Sequence, residues 1–185
     1  MASKNEADSF EALAVPHVAA AYNLARWLMH DNADADDVVQ EAMLRALTYF
    51  SSYRGGHPRG WILRIVRNTA YASLRLNRGI ELISLTAETG RNEKREHHLP
   101  EIVDPRDDPE IALSREEDRR EINGMLAKLP ADLREAIVLR ELEQLSYKEI
   151  ADITDVPIGT VMSRLWRGRR MLEQAAAAPP KERSA

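Results

Sequence analysis

The chain has 185 residues, 44 % hydrophobic and 30 % charged, with a formal net charge of −4; that suits one medium or two small globular domains. It contains no cysteine, which excludes disulfides, thiolate zinc sites and cysteine nucleophiles. No apolar run approaches the ~18 residues of a membrane span, and the opening MASKNEADSF lacks the apolar stretch of a signal peptide, so a cytoplasmic location is expected.

Nine prolines and eight glycines leave room for long helices, and no run alternates strictly enough to support strands. Ser9 to His30 reads as helical, with a break at Pro16. Asp31 to Asp34 reads as a turn in which Asp34 caps the next helix, while Asp36 and Asp37 suit its positive end. That helix runs to about Phe50, and a glycine-bearing loop, Ser51 to Gly60, follows. Trp61 to about Asn77 forms the third strong helix, ended by Gly79. Glu81 to Pro109 shows no sustained period and carries Pro100, Pro105 and Pro109, the composition of a flexible linker. Ser114 with Glu117 opens a helix to about Leu129, and Asp132 caps Leu133 to Leu142. The expected fold is all-α: a helical domain over 9–80, a flexible acidic linker over 81–111, a second helical domain over 112–174 and a disordered tail over 175–185.

Charge is unevenly placed. From Phe50 to Ile80 there are six arginines and no acid, whereas Glu81 to Asp118 holds twelve acids against five bases. In the helix before the loop, Val38, Val39, Ala42, Met43 and Ala46 make one stripe, with Asp37, Gln40, Glu41, Leu44 and Thr48 opposite. Leu44 is thus an apolar residue on an acidic face: either an ordinary exposed leucine or an anchor for a protein partner. In the helix from Trp61, Ile62, Ile65, Val66, Thr69 and Leu76 form the core stripe. Arg64, Arg67, Tyr71 and Arg75 lie across from it, with Trp61 and Asn68 at the edge. Arginines interleaved with aromatics fit a single-stranded nucleic acid, the guanidinium holding phosphate and the ring stacking on a base; the bland alternative makes Trp61 and Tyr71 core aromatics.

Downstream, LSYKEIADITDVPIGTVMSRLWRGRRML (145–172) reads as two short helices joined by a tight turn. Ser146 with Glu149 is a capping box, and Asp155-Val156-Pro157 breaks the first helix. On the second helix Ile158, Val161, Leu165 and Leu172 share an inward stripe, with Gly168 between them. Gly159, Thr160, Ser163, Arg167 and Arg170 face the other way, flanked by Arg164 and Trp166. Small polar residues early and arginines late suit a helix entering the major groove of duplex DNA; the alternative is a packing helix with a solvated cationic face.

Taken in order, three segments resemble the bacterial sigma factors of the extracytoplasmic-function (ECF) group: DADDVVQEAMLRA, YRGGHPRGWILRIVRNTAYASLR and LPADLREAIVLRELEQLSYKEIADITDVPIGTVMSRLWRGRRML. The resemblance covers about Phe10 to Leu172. It implies a transcription initiation factor that binds core RNA polymerase (β′ clamp helices and β flap) and promoter DNA, with an anti-sigma protein as a further partner. The core-binding residues it implies are Asp36, Asp37, Gln40, Glu41, Leu44, Arg45 and Thr48. For the −10 element they are Ser52, Tyr53, Arg54, Gly55, Gly56, His57, Trp61, Arg64, Arg67, Asn68, Tyr71 and Arg75. For the −35 element they are Ser146, Tyr147, Lys148, Gly159, Thr160, Ser163, Arg164, Arg167 and Arg170. The chain departs from the family pattern twice. Ala72 stands where an acidic or amide side chain is frequent, so one −10 contact is expected to differ, and Pro157 replaces a frequent serine cap. The linker's acids, Asp104, Asp107, Asp108 and Glu110 among them, are further expected to mimic nucleic acid and shield the basic faces. A stand-alone helix-turn-helix regulator is the alternative function. His17, His30, His57, His97 and His98 show no metal-ligand spacing, and no nucleophile-and-base set is apparent; no enzyme activity, metal or cofactor is expected.

Overall fold

A computed structural model of the chain describes residues 4–29, 32–84 and 121–177, and all regular structure among them is helical. Helix α1 (Lys4–Ala14) passes through a 3-10 turn (Val15–His17) into α2 (Val18–Met29). Pro16 lies at the start of that turn, where its missing N–H breaks no helical ladder. Helix α3 (Asn32–Tyr49) ends in a second 3-10 turn (Phe50–Ser52), and α4 (Pro58–Ser84) follows the loop. In the second half, helical residues 121–127 (α5) precede α6 (Ala131–Ile137), which widens into a π-turn (Val138–Leu142). Helices α7 (Tyr147–Thr154) and α8 (Ile158–Ala176) complete the described chain.

The first module is built where α2, α3 and α4 meet. Leu24, Leu28, Val38, Ala42, Ala46, Ile62 and Val66 are buried there, each large aliphatic contributing about 1.5–3 kcal/mol relative to exposure. Alanines on facing helices (Ala21, Ala25, Ala35, Ala42, Ala46 and Ala70) are buried too, allowing close helix approach. In the second module α8 packs on α6 and α7, burying Leu133, Ile137, Leu139, Ile150, Ile153, Val161 and Leu165. Helix α7 opens with the expected capping box: the Glu149 N–H donates to Ser146 Oγ at 3.3 Å, and the Ser146 N–H donates to Glu149 Oε2 at 2.7 Å. It closes on Asp155, whose left-handed φ of 56° stops the ladder.

Several boundaries differ from the sequence reading. Helix α3 begins at Asn32, so Asp34 lies in its first turn instead of capping it. Helix α4 starts at Pro58, a position that proline favours, and runs past Gly79 to Ser84; a lone glycine costs a helix only about 1 kcal/mol. Pro130 and not Asp132 is the N-cap of α6. Helix α8 continues to Ala176, into the expected tail. Two expected core residues are on the surface: Leu76 is 68 % exposed and Ile158 is 46 % exposed. Leu76 lies in the second half of the long helix α4, and Ile158 is the first residue of α8. The capping pair Ser114 and Glu117, the linker acids and residues 178–185 lie outside the described residues.

The two expected modules are present, and they touch: α4 packs against α7 and α2 against α6. Leu63, which the stripe of α4 omitted, is fully buried, since α4 packs against α1, α2, α3 and α7.

Close packing within the second module yields a testable consequence. A Cβ added at Gly168 would lie 2.9 Å from Ile137 Cγ1 and 3.3 Å from its Cδ1, with the Leu133 carbonyl oxygen 3.6 Å away. Alanine gains about 1 kcal/mol of helix propensity, but overpacking a filled core costs about 1–3 kcal/mol, and the clash prevails because Ile137 is itself buried. Gly168→Ala is expected to lower the thermal midpoint by roughly a few degrees; a raised midpoint would show that Ile137 has room to move.

Candidate nucleic-acid interface

The loop before α4 is set by its backbone. Gly55 and Gly56 have φ of 84° and 105°, a left-handed region that L side chains avoid, although the space beside them is open. The turn so made brings Tyr53 to 4.9 Å from Trp61, ring centre to ring centre, and lays it nearly parallel to Phe50 at 6.5 Å. Trp61 is half-buried. One side packs on the core, and the other lines a cavity of about 300 Å³ with Ser52, Tyr53, Arg54, Gly55, His57 and Arg64. The ring is thus shared between the core and the cavity.

Along α4, Arg64, Asn68 and Arg75 are exposed, while Arg67 and Tyr71 are half-buried. The Arg67 guanidinium lies 4.8 Å over the Tyr71 ring. Burial, reinforced by the nearby Glu135 carboxylate, pushes the Tyr71 hydroxyl up to about 12, so it stays a neutral hydrogen-bonding group. The row expected from the sequence is present, but its cations meet acids of the second module. Arg67 Nε donates to Glu135 Oε1 at 2.7 Å. Arg59 donates to Glu143, which also accepts from Asn23 Nδ2 at 3.3 Å. His57 Nε2 lies 3.1 Å from Glu149 Oε1, and Arg64 Nη2 lies 3.9 Å from Asp155 Oδ1. Glu149, Asp152 and Ile153 of α7 also line the cavity beside Trp61.

Two of these carboxylates are displaced in opposite senses. Burial raises Glu135 above the ordinary carboxylate range, against the pull of Arg67. Hydrogen bonds from Ser146, side chain and backbone, lower Glu149. A raised carboxyl binds protons more readily in the packed state, so its share of stability is greatest in acid and fades as pH climbs through its shifted value. Glu149 behaves in reverse and loses its share on acidification.

Helix α8 presents a different surface. Gly159, Ser163, Arg167 and Arg170 are exposed and Thr160 is half-buried. Arg167 Nε reaches the Ser163 carbonyl at 3.4 Å, and Arg170 lies 5.3 Å over the ring of Trp166, which is 61 % exposed. Arg164 is turned onto Asp132 of α6 at 3.4 Å, with only 18 % of its side chain exposed. At the start of α7, Lys148 is exposed, Ser146 is engaged in its cap, and Tyr147 lies beneath the Arg140 guanidinium at 5.1 Å.

The third group sits apart from both. On α3, Asp36, Asp37, Gln40, Glu41, Arg45 and Thr48 are exposed around Leu44, itself 62 % exposed. Arg45 pairs with Glu41 at 2.7 Å, and the Thr48 hydroxyl bonds back to the Leu44 carbonyl. These side chains are exposed and lie outside the core.

Among the described residues no group of acids and histidines could hold a metal ion. None of the described helices is long and apolar enough to cross a membrane. Glu135 and Glu143 are the residues that sequence reasoning missed. A signal was present for Glu135, which directly precedes the apolar run Ala136 to Leu139, where an unpartnered acid has no place; Glu143 carries no comparable mark.

Comparison with known proteins identifies the family. A family model for Sigma-70 region 2 matches residues 13–79, and one for Sigma-70 region 4 matches residues 119–172. The chain is 34 % identical to an RNA polymerase sigma-H factor of Pseudomonas aeruginosa, over 90 % of this chain and 86 % of that protein. It is 39 % identical to an ECF RNA polymerase sigma-E factor of Haemophilus influenzae, over 76 % and 73 % respectively. Among solved structures, the sigma factor RpoE of Bartonella quintana, in complex with the anti-sigma factor NepR, superposes with a TM-score of 0.71 at 25 % identity, over 91 % of this chain and 96 % of that one.

The exposed row on α8 makes a quantitative prediction. If Arg167 holds a phosphate, Arg167→Ala reduces the slope of log affinity against log salt by about one ion on duplex DNA. Anisotropy titrations across a salt series read that slope, and an unchanged value would move the contact elsewhere.

Proposed function

The chain belongs to the sigma-70 family, in its extracytoplasmic-function group, and is a transcription initiation factor that directs RNA polymerase to promoters; we propose that three separate helical faces divide this task. The row on α3 is the grip on core polymerase. Leu44 supplies a desolvating anchor, and Asp36, Asp37, Gln40, Glu41, Arg45 and Thr48 make the polar rim that excludes water around it. The clamp helices of the β′ subunit are the surface it fits, and the module over 112–174 meets the β flap.

Promoter DNA is read twice. Helix α8 enters the major groove of the −35 duplex with Gly159, Thr160 and Ser163 nearest the base edges and Arg167 and Arg170 on phosphate. Lys148, Ser146, Tyr147 and Arg164 belong to the rim of that surface. The loop Ser52 to His57 with Trp61, Asn68 and Tyr71 takes an extruded base of the −10 strand, while Arg54, Arg64, Arg67 and Arg75 follow the backbone. Extruding a base costs a few kcal/mol, and stacking returns about 1–3 kcal/mol per base. Ala72, half-buried one residue after Tyr71, offers no polar group, so base choice falls to Asn68 and the loop. The reading also carries a cytoplasmic location, an anti-sigma partner of the kind that NepR is for RpoE, and no catalytic step of its own.

The observation that carries this reading is the separation of the three faces. The acid-ringed leucine, the aromatic-lined cavity and the exposed arginine row occupy α3, α4 and α8. A stand-alone duplex-binding regulator would use the last and leave the first two without a role. Run-off transcription with core enzyme on a genomic promoter library tests it directly: transcripts starting at defined sites are expected, and their absence would reject it. Leu44→Arg is expected to abolish co-purification with core polymerase while leaving helicity and thermal midpoint unchanged, because the side chain is exposed. Retained binding would displace the grip from α3.

A further inference from the structure

Two large apolar side chains stand on the duplex-reading face of α8. Met162 is 53 % exposed and Trp166 is 61 % exposed. At about 100° per residue, Trp166 falls within about 20° of Gly159 and about 40° of Met162 and Arg170. The indole is therefore at the middle of that face and not at its edge. A cavity of about 430 Å³ lies beside the pair, lined also by Leu165 and Tyr147. Next to Gly159 the space is open, so the backbone there can approach a ligand closely.

The chemistry missing from this face is equally informative. A guanine edge in the major groove offers two acceptors, and arginine or lysine is the side chain that pairs with both. In the first two turns of α8 the one such cation is Arg164, and it is turned onto Asp132 at 3.4 Å. The Ser163 hydroxyl donates to the Thr160 carbonyl at 2.9 Å. The turns nearest the base edges thus present thioether and indole surface in place of a donor fork. Thymine is the base that offers an apolar group in the major groove, its C5 methyl. A protein partner also suits an apolar patch, but the exposed cations that follow this one, Arg167 and Arg170, match the phosphates that border a groove.

We propose that Met162 and Trp166 are specificity-determining residues that read thymine methyls in the −35 duplex. This rests on the assignment of α8 to that duplex. Four residues of helix rise about 6 Å, and base steps are about 3.4 Å apart, so the element holds a pair of thymines about two steps apart. The unbranched thioether of Met162 adapts its shape to a methyl, and the indole gives a rigid wall. Burying one methyl is worth about a fourfold change in affinity.

The test uses the full chain, alone and assembled on core polymerase, to select duplexes from a randomised pool. Each selected thymine is then replaced by deoxyuridine, which removes the methyl and leaves the base-pairing groups in place. Two of these replacements are expected to weaken wild-type binding about fourfold each. Trp166→Ala is expected to abolish the loss at one position and Met162→Ala at the other. Neither change alters the slope of affinity against salt, because neither removes a charge. Trp166→Phe keeps an apolar ring and is expected to retain the sensitivity, which keeps the test decisive if the alanine variants bind too weakly to measure. Wild-type binding indifferent to deoxyuridine would overturn the proposal while leaving α8 as the duplex reader. So would a sensitivity that survives both alanine changes, or wild-type affinity in both alanine variants, which would give the patch to a protein partner. A pool from which neither form enriches any sequence would overturn the assignment of α8 itself.

Discussion

A carboxylate without solvent must find a cation or give up its charge. The Glu135 side chain has no exposed surface, and the guanidinium that meets it comes from the opposite module. That one requirement ties the position of α6 to the position of α4. It fixes Arg67 over the Tyr71 ring and leaves the second half of the chain resting on the helix that its neighbours on α2 and α3 hold in place. Remove the partner and the acid must either protonate or reach water, and reaching water means moving a whole module.

Such a bond specifies geometry more than it adds stability. Bringing a carboxylate and a guanidinium out of water costs nearly as much as their attraction returns. The more exposed pairs around it, His57 with Glu149 and Arg64 with Asp155, belong to a class worth about 0–1 kcal/mol each. Packing between α4 and α7, with Trp61 and Ile153 at one cavity, supplies the non-directional part. The sum is a joint of definite register and modest strength.

Most of each module was legible in the residues. Val38, Val39 and Ala42 mark the inward side of α3, and their spacing leaves Leu44 outside whatever else is true. Ser146 and Glu149 announce α7 through a cap that both side chains complete. Periodicity assigns a residue to a face but not to a partner, so Arg67 read as solvated and ready for phosphate when it is half-buried against an acid sixty-eight positions away. Ile158 and Leu76 belong to the expected stripes but stay exposed, one as the first residue of α8 and the other in the second half of α4. Caps also mislead when two are available, as Pro130 ahead of Asp132 shows.

The π-turn at Val138–Leu142 carries a consequence for everything that follows it. Its wide ladder, with the Glu143 N–H on the Val138 carbonyl and the Leu145 N–H on that of Leu139, accommodates one amino acid more than an ordinary turn does. Excising that surplus would wind the segment back to regular pitch and swing the remainder by about 100°. Glu143 would leave Arg59, and α8 would face a new direction relative to α3. A chain shortened by a single letter here would keep its composition and nearly every motif, yet present the wrong side of itself to its own other half.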